Sequence, residues 1–327
     1  QCARLPQDSR NEQLIRNLLM LDAEFEKEFA GAYALELPDG QTQSDRSCRI
    51  MLYRSSLVVV PSATDFFNVA YADIQSLAFD PERYCLELRL DLGERLVFTM
   101  LGGRFGELER EIRRLTQALY HRTAAYLRER LPAEAPDAQL PPLASTLRQG
   151  KAVSRGAIQA AAPGLWPFLE QLLFTNEAGE SAPGRRACFE HLCQMAQDQY
   201  IYVGLREGFE SREERVAPVC WFVVAFPDQG RMAVEVTNES GYATYVYRMA
   251  GPVETAVRSL SRAMVALNFR REVISASEAE LAGPKMGRYR VALRKLAPVR
   301  QLREMFVGKA AHTTEEAWAA RMAELLG

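Results

Sequence analysis

The densest group of chemically active side chains lies between positions 285 and 309. There Lys285, Arg288, Arg290, Arg294, Lys295, Arg300, Arg303 and Lys309 stand against a single acidic residue, Glu304, for a local charge of +7. Such a segment attracts phosphates and carboxylates, because each guanidinium offers several donors in a planar fork. Read as a strand, "GRYRVALRK" (287–295) sends Arg288, Arg290 and Arg294 to one face and Tyr289, Val291, Leu293 and Lys295 to the other. Arg300 and Arg303 extend this basic stripe. These five arginines are the candidate binding residues, and the partner they would hold is a nucleic acid or an anionic membrane. The plainer reading is a solvated face neutralised by acidic neighbours such as Glu278 and Glu280.

Residues able to do covalent or metal chemistry are sparse. The three histidines, His121, His191 and His312, fall in no recognisable Ser/His/Asp or Cys/His arrangement. Cys188-Phe-Glu-His191-Leu-Cys193 is the nearest approach to a metal motif. On a helix, Cys188 and His191 share a face while Cys193 is turned away, and a second pair of ligands is missing, so a structural role is expected. The six cysteines (Cys2, Cys48, Cys85, Cys188, Cys193, Cys220) form no C-x-x-C pair and read as reduced, buried small hydrophobes. No phosphate-cradling glycine motif occurs; Gly102-Gly103 marks a strand-to-helix turn instead. No catalytic residue, cofactor or metal is therefore expected.

The elements that must position these groups are clearer. In "RYCLELRLDLGERLVFTM" (83–100), Tyr84, Leu86, Leu88 and Leu90 alternate with Arg83, Glu87, Arg89 and Asp91, which predicts a half-buried antiparallel strand. After the turn Asp91-Leu92-Gly93-Glu94 the alternation resumes at Leu96, Phe98 and Met100, giving a hairpin. Short β-branched and aromatic runs upstream, at 50–53, 56–60, 66–74 and 76–79, predict further strands of the same sheet. The period then changes: Phe105, Leu108, Ile112, Leu115 and Leu119 recur every three or four residues, as in one long amphipathic helix ending near Pro132. A preceding helix is predicted over Ser9 to Phe29 from Leu14, Leu18, Leu21, Phe25 and Phe29.

About six short strands closed by one amphipathic helix resemble the pleckstrin-homology-like superfold, with its GRAM-type relatives, over roughly residues 33–131. Members that hold phosphoinositides carry basic residues around the loop joining the first two strands. Here that loop (38–49) offers only Arg46 and Arg49 beside Asp39 and Asp45, so the resemblance implies the protein-binding use of the superfold.

"PAEAPDAQLPPLAST" (132–146) has four prolines and no periodicity, which predicts a linker over 132–148 between a first domain (1–131) and a second (149–327). Residues 149–197 are predicted helical. Strands follow at 200–206, 219–226, 231–236 and 242–249, then a helix from Pro252 to Leu267 with an apolar stripe, and a last helix introduced by Thr313 and Glu316. The continuous apolar run 219–226 implies a strand covered on both faces by helices. The order of strands and then helix hints at a second, diverged copy of the first plan, so the fold class is α+β in two modules.

A chain of 327 residues with 48% hydrophobic content suffices for two cores, and a net charge of −2 supplies no global field for a polyanion. With no apolar run long enough to span a bilayer and no leader pattern, a cytoplasmic protein is expected. The leading expectation is a non-enzymatic adaptor or structural subunit that binds a protein partner. Polyanion binding through the basic stripe is the alternative, and an enzyme with a concealed site is the remote one.

Overall fold

The computed structural model describes residues 25–175, 183–210, 215–237, 243–267, 269, 271–295 and 297–327. The chain divides into two compact units, residues 1–119 and 120–327. In the first, seven antiparallel strands, β1 (Phe25–Glu36), β2 (Thr42–Tyr53), β3 (Ser56–Pro61), β4 (Phe67–Ala70), β5 (Ile74–Asp80), β6 (Cys85–Leu90) and β7 (Arg95–Thr99), are ordered β4-β3-β2-β1-β7-β6-β5. The first strand therefore joins the last. β1 pairs with β2 on one side (Phe29↔Ile50) and with β7 on the other (Tyr33↔Phe98, Leu35↔Leu96). Gly31 makes that junction possible, since a Cβ there would sit 2.8 Å from both the Leu101 side chain and the Thr99 carbonyl. The predicted β6–β7 hairpin forms, with Leu86↔Phe98 and Leu88↔Leu96 paired, and Gly93 takes the left-handed conformation at φ +96°.

Helix α1 (Phe105–Arg130) follows the Gly102-Gly103 turn. Its predicted stripe, Phe105, Leu108, Ile112, Leu115 and Leu119, is buried against Leu86, Leu88, Leu96 and Phe98 of the sheet, while its later Leu127 belongs to the core of the second unit. The boundary between units thus falls inside this helix. Two expectations need correction here. Phe25 and Phe29 lie in β1, where Phe29 enters the core of the sheet; the rest of the helix expected over 9–29 lies outside the described residues. Tyr84, placed inward by the alternation, is exposed, because a residue at φ 50° ends the run before β6 begins.

The second unit holds helices α2 (Leu140–Thr146), α3 (Arg155–Ala161), α4 (Trp166–Leu173), α5 (Pro183–Met195), α6 (Val253–Ala266), α7 (Glu272–Ser275), α8 (Glu278–Ala282), α9 (Gly287–Lys295), α10 (Ala297–Met305) and α11 (Glu315–Leu326). Its strands are β8 (Val153–Ser154), β9 (Ile201–Arg206), β12 (Val219–Phe226), β13 (Arg231–Val236), β14 (Ala243–Arg248) and β15 (Phe306–Ala311), in the order β15-β14-β13-β12-β9-β8, with β10 (Phe209–Glu210) and β11 (Arg215–Val216) as a separate ribbon. This order differs from that of the first sheet: it is a meander whose last strand arrives after five helices, and its first and last strands are the two edges.

Every residue of β12 is buried, as the apolar run implied. Cys220, Phe222, Val224 and Phe226 share a core with Leu143, Leu169, Phe174, Phe189 and Trp318 from α2, α4, α5, α11 and the turn after α4. Trp221 faces the other way, packing on Phe269 at 5.5 Å and donating from Nε1 to the Gly150 carbonyl at 2.7 Å. Its cross-strand partner is Gly204, where any Cβ would overlap the indole.

Residues 132–148 are no linker. Leu140, Leu143, Ala144 and Leu147 are buried in the core of the second unit, and Pro141 and Pro142 sit in the first turn of α2. Proline is harmless there because the first-turn N–H groups have no helical partner, so the prolines open a helix instead of breaking one. Residues 287–295 form helix α9, not a strand. Tyr289 and Leu293 are four apart as well as alternate, a period too short to separate strand from helix. Cys48, Cys85, Cys188, Cys193 and Cys220 are buried thiols outside any disulfide, and Cys2 lies outside the described residues.

Leu86→Ala and Leu115→Ala should each cost about 2–5 kcal/mol, the range for truncating a buried leucine. Arg114→Ala, on the exposed side of α1, should change stability by less than about 0.5 kcal/mol. Denaturant titration followed by circular dichroism reads all three, and equal losses at the inward and outward positions would contradict the phase of these elements.

Candidate functional site

The basic segment is drawn inward by backbone carbonyls. Helices α7 to α10 are so short that much of each is terminus, leaving carbonyls without intrahelical partners. Arg290 Nη1 donates to the Leu281 carbonyl and, at 2.8 Å, to that of Gly283, both at the end of α8. Arg300 Nη1 donates to the Arg294 carbonyl at 2.6 Å, at the end of α9. Arg303 reaches the Ile274 carbonyl in α7 at 3.2 Å and Glu278 Oε1 at 2.9 Å, the neutralisation anticipated for Glu278. On a helix Arg290 and Arg294 share a side, but Arg288 stands about 200° from Arg290, so the strand-face stripe does not exist. Arg294 is exposed, and the side chain of Arg288 lies outside the described residues.

A second constellation escaped the sequence. Glu235, on β13, faces the same core as its cross-strand neighbour Phe222 and is only 1% exposed. One Oε2 atom gathers its partners: Thr244 Oγ1 on β14 donates to it at 2.8 Å, and His312 Nε2, just past β15, lies 3.0 Å away. Trp318 Nε1 of α11 donates to Thr244 Oγ1 at 2.9 Å. The other imidazole nitrogen, Nδ1, stands 3.6 Å from Cys188 Sγ on α5. Since a carboxylate only accepts, Nε2 carries the proton it shares with Glu235. With that proton on Nε2, the neutral form of the ring has its Nδ1 lone pair toward the thiol. Burial, reinforced by the negative charges of Glu235 and Glu315, pushes the Cys188 thiol up to about 12, so the resting sulfur is protonated.

Cys188 and His312 are 124 residues apart, which is why spacing could not reveal them. One signal was available: an acidic residue within "RMAVEV", next to a strand predicted to be covered on both faces. The sequence neighbours of Cys188 play other parts. His191 is exposed and meets the Trp318 ring edge-on at 5.7 Å, and Cys193 is buried elsewhere on α5. Among the described residues no cluster of His, Cys, Asp and Glu could hold a metal ion.

An open cleft of about 680 Å³ lies between Ser154–Gly156 at the start of α3, Asp198–Tyr202 before and within β9, and Pro252–Glu254 at the start of α6. Its charged groups are engaged within it: Tyr202 donates to Glu254 at 2.8 Å, and Arg155 lies 3.9 Å from Asp198.

In the first unit two large apolar side chains stand in solvent, Tyr84 at 61% exposure and Met100 at 70%. Tyr84 immediately precedes β6 and Met100 immediately follows β7, the two strands of one hairpin. Both have left-handed backbones, at φ 50° and 57°. The Tyr84 ring packs edge-on against Phe105 at 5.3 Å and Phe79 at 5.9 Å.

No family model and no curated protein matches the chain. Among solved structures it is similar to the C-terminal domain of an unknown protein from Leishmania infantum, with 10% identity and a TM-score of 0.26 over 33% of this chain and 96% of that one. No described helix is long and apolar enough to cross a membrane.

Arg290→Ala removes the donor to two carbonyls and should lower the melting temperature of the second unit by several degrees, since an unsatisfied buried group costs about 1–3 kcal/mol. Arg294→Ala should leave it within about a degree. Tryptophan fluorescence reports this unit alone, because Trp166, Trp221 and Trp318 all lie within residues 120–327.

Proposed function

We propose that the protein is a non-enzymatic adaptor or structural subunit whose first unit is a pleckstrin-homology-like module, and that it docks a protein partner at the Tyr84/Met100 corner. The module reading is supported by seven antiparallel strands with the first beside the last, followed directly by an amphipathic helix. A protein partner is favoured over a phosphoinositide by the β1–β2 region. Arg49 is held bidentately by Glu28 at 2.8 and 3.0 Å, and Asp45 is occupied by Ser47, Ser62 and Ala63, which leaves Arg46 as the exposed cation there.

The exposed corner is the observation that carries the proposal. Left-handed backbone at a residue other than glycine costs about 1 kcal/mol or more, and is sustained where the surroundings fix it. Here two instances, one at the start of β6 and one at the end of β7, leave a tyrosine and a methionine exposed, the tyrosine ring against Phe79 and Phe105. Covering roughly 150 Å² of such a ring at about 25 cal/mol per Å² is worth several kcal/mol, enough for an anchor residue.

A photo-crosslinking amino acid at position 84 should give one discrete adduct in cells, lost on Met100→Glu. The same probe at Arg89, exposed on β6, should give none. An identical adduct from both positions, or no adduct at 84, would overturn the proposal. Binding that survives Met100→Glu, is lost on Arg294→Glu with Arg300→Glu, and weakens steeply with salt would instead establish the nucleic-acid or anionic-membrane alternative.

A further inference from the structure

We infer that Cys188 is a base-assisted nucleophile, a site at which small uncharged carbon electrophiles, acyl or alkyl, are captured covalently. The geometry has the three parts that activate a thiol: a sulfur 3.6 Å from one imidazole nitrogen, a carboxylate 3.0 Å from the other, and a carboxylate fixed by a third group, the Thr244 hydroxyl. Glu235 selects the tautomer with hydrogen on Nε2, so the acceptor Nδ1 faces the sulfur. It also meets the charge that forms on the ring when the sulfur proton transfers.

The step balances without another reagent. As Sγ forms a bond to the electrophilic carbon, the S–H proton passes to Nδ1 and the carbon–leaving-group bond breaks, with its electron pair leaving on the departing group. The resulting imidazolium is paired with the Glu235 carboxylate. Access selects the reagent: Cys188 is 4% exposed and the His312 side chain 11%, so bulky or charged electrophiles are excluded.

Cys193 provides an internal control. It lies on the same helix, α5, is 6% exposed, and burial pushes its thiol likewise up to about 12, but none of its described contacts is to an imidazole. Both thiols share any opening of α5, so a difference between them reports the local base. The full chain is treated with iodoacetamide at neutral pH, and chymotryptic peptides, cut at Phe189 between the two sites, are quantified by mass spectrometry. Since a positioned general base contributes about 10²- to 10⁴-fold, Cys188 should be labelled at least tenfold faster than Cys193. The excess should vanish in His312→Gln, which keeps a donor toward Glu235 but supplies no base. In the wild-type protein, labelling of Cys188 should slow in deuterium oxide by more than that of Cys193, where only the solvent effect on thiol ionisation acts, a readout that holds even where the variant fails to fold. Equal rates for the two thiols, an excess that survives His312→Gln, or equal isotope effects at the two thiols would overturn the inference.

Discussion

A carboxylate placed in a layer of apolar side chains persists only if its donors are brought to it, and the second unit is arranged around that requirement at Glu235. Thr244 is supplied by the next strand. His312 comes from beyond β15, which reaches the sheet only after five helices, and Trp318 on α11 closes the network by holding the threonine hydroxyl. The last strand's end and the last helix thus both contribute to the network around Oε2 of this carboxylate, while its Oε1 is buried with no hydrogen-bond partner among the described residues. The apolar core around it, from Phe222 and Phe189 to Met322 and Leu325, would tolerate several arrangements, whereas the hydrogen bonds accept few.

The arginines of the 285–309 segment follow similar logic. Four short helices expose many carbonyls for each bond they make, and a guanidinium can serve two at once. Arg290, Arg300 and Arg303 each reach from one helix to a carbonyl in or at the end of another, so these three are hydrogen-bonded within the chain, whereas Arg294 stays exposed. What the first unit leaves exposed is of the opposite kind: the apolar pair Tyr84 and Met100, in conformations that side chains seldom adopt.

Elements whose residues answer to one periodicity were legible in the sequence. The β6–β7 hairpin, helix α1, the doubly covered β12 and helix α6 all appear where alternation or a three-four stripe placed them. Misreadings arose where two physical rules compete. Prolines at 141 and 142 start a helix as readily as they interrupt one, and "GRYRVALRK" satisfies both periods, so its pattern alone could not separate strand from helix. Tyr84 continued an alternation that the backbone had already left. The Cys188–His312–Glu235 set was invisible because it is assembled by tertiary pairing across the sheet, and its one trace was an acidic residue in a buried strand.

Glu235 and His312 act as a pair, and a double-mutant cycle measures their coupling directly. Glu235→Gln, His312→Gln and the double variant are unfolded in urea and followed by tryptophan fluorescence, which senses the second unit alone. A charge-assisted, buried interaction predicts a coupling energy of about 1.5–3 kcal/mol. Single effects that add to within about 0.5 kcal/mol would show that the two residues are independent, and would contradict the account.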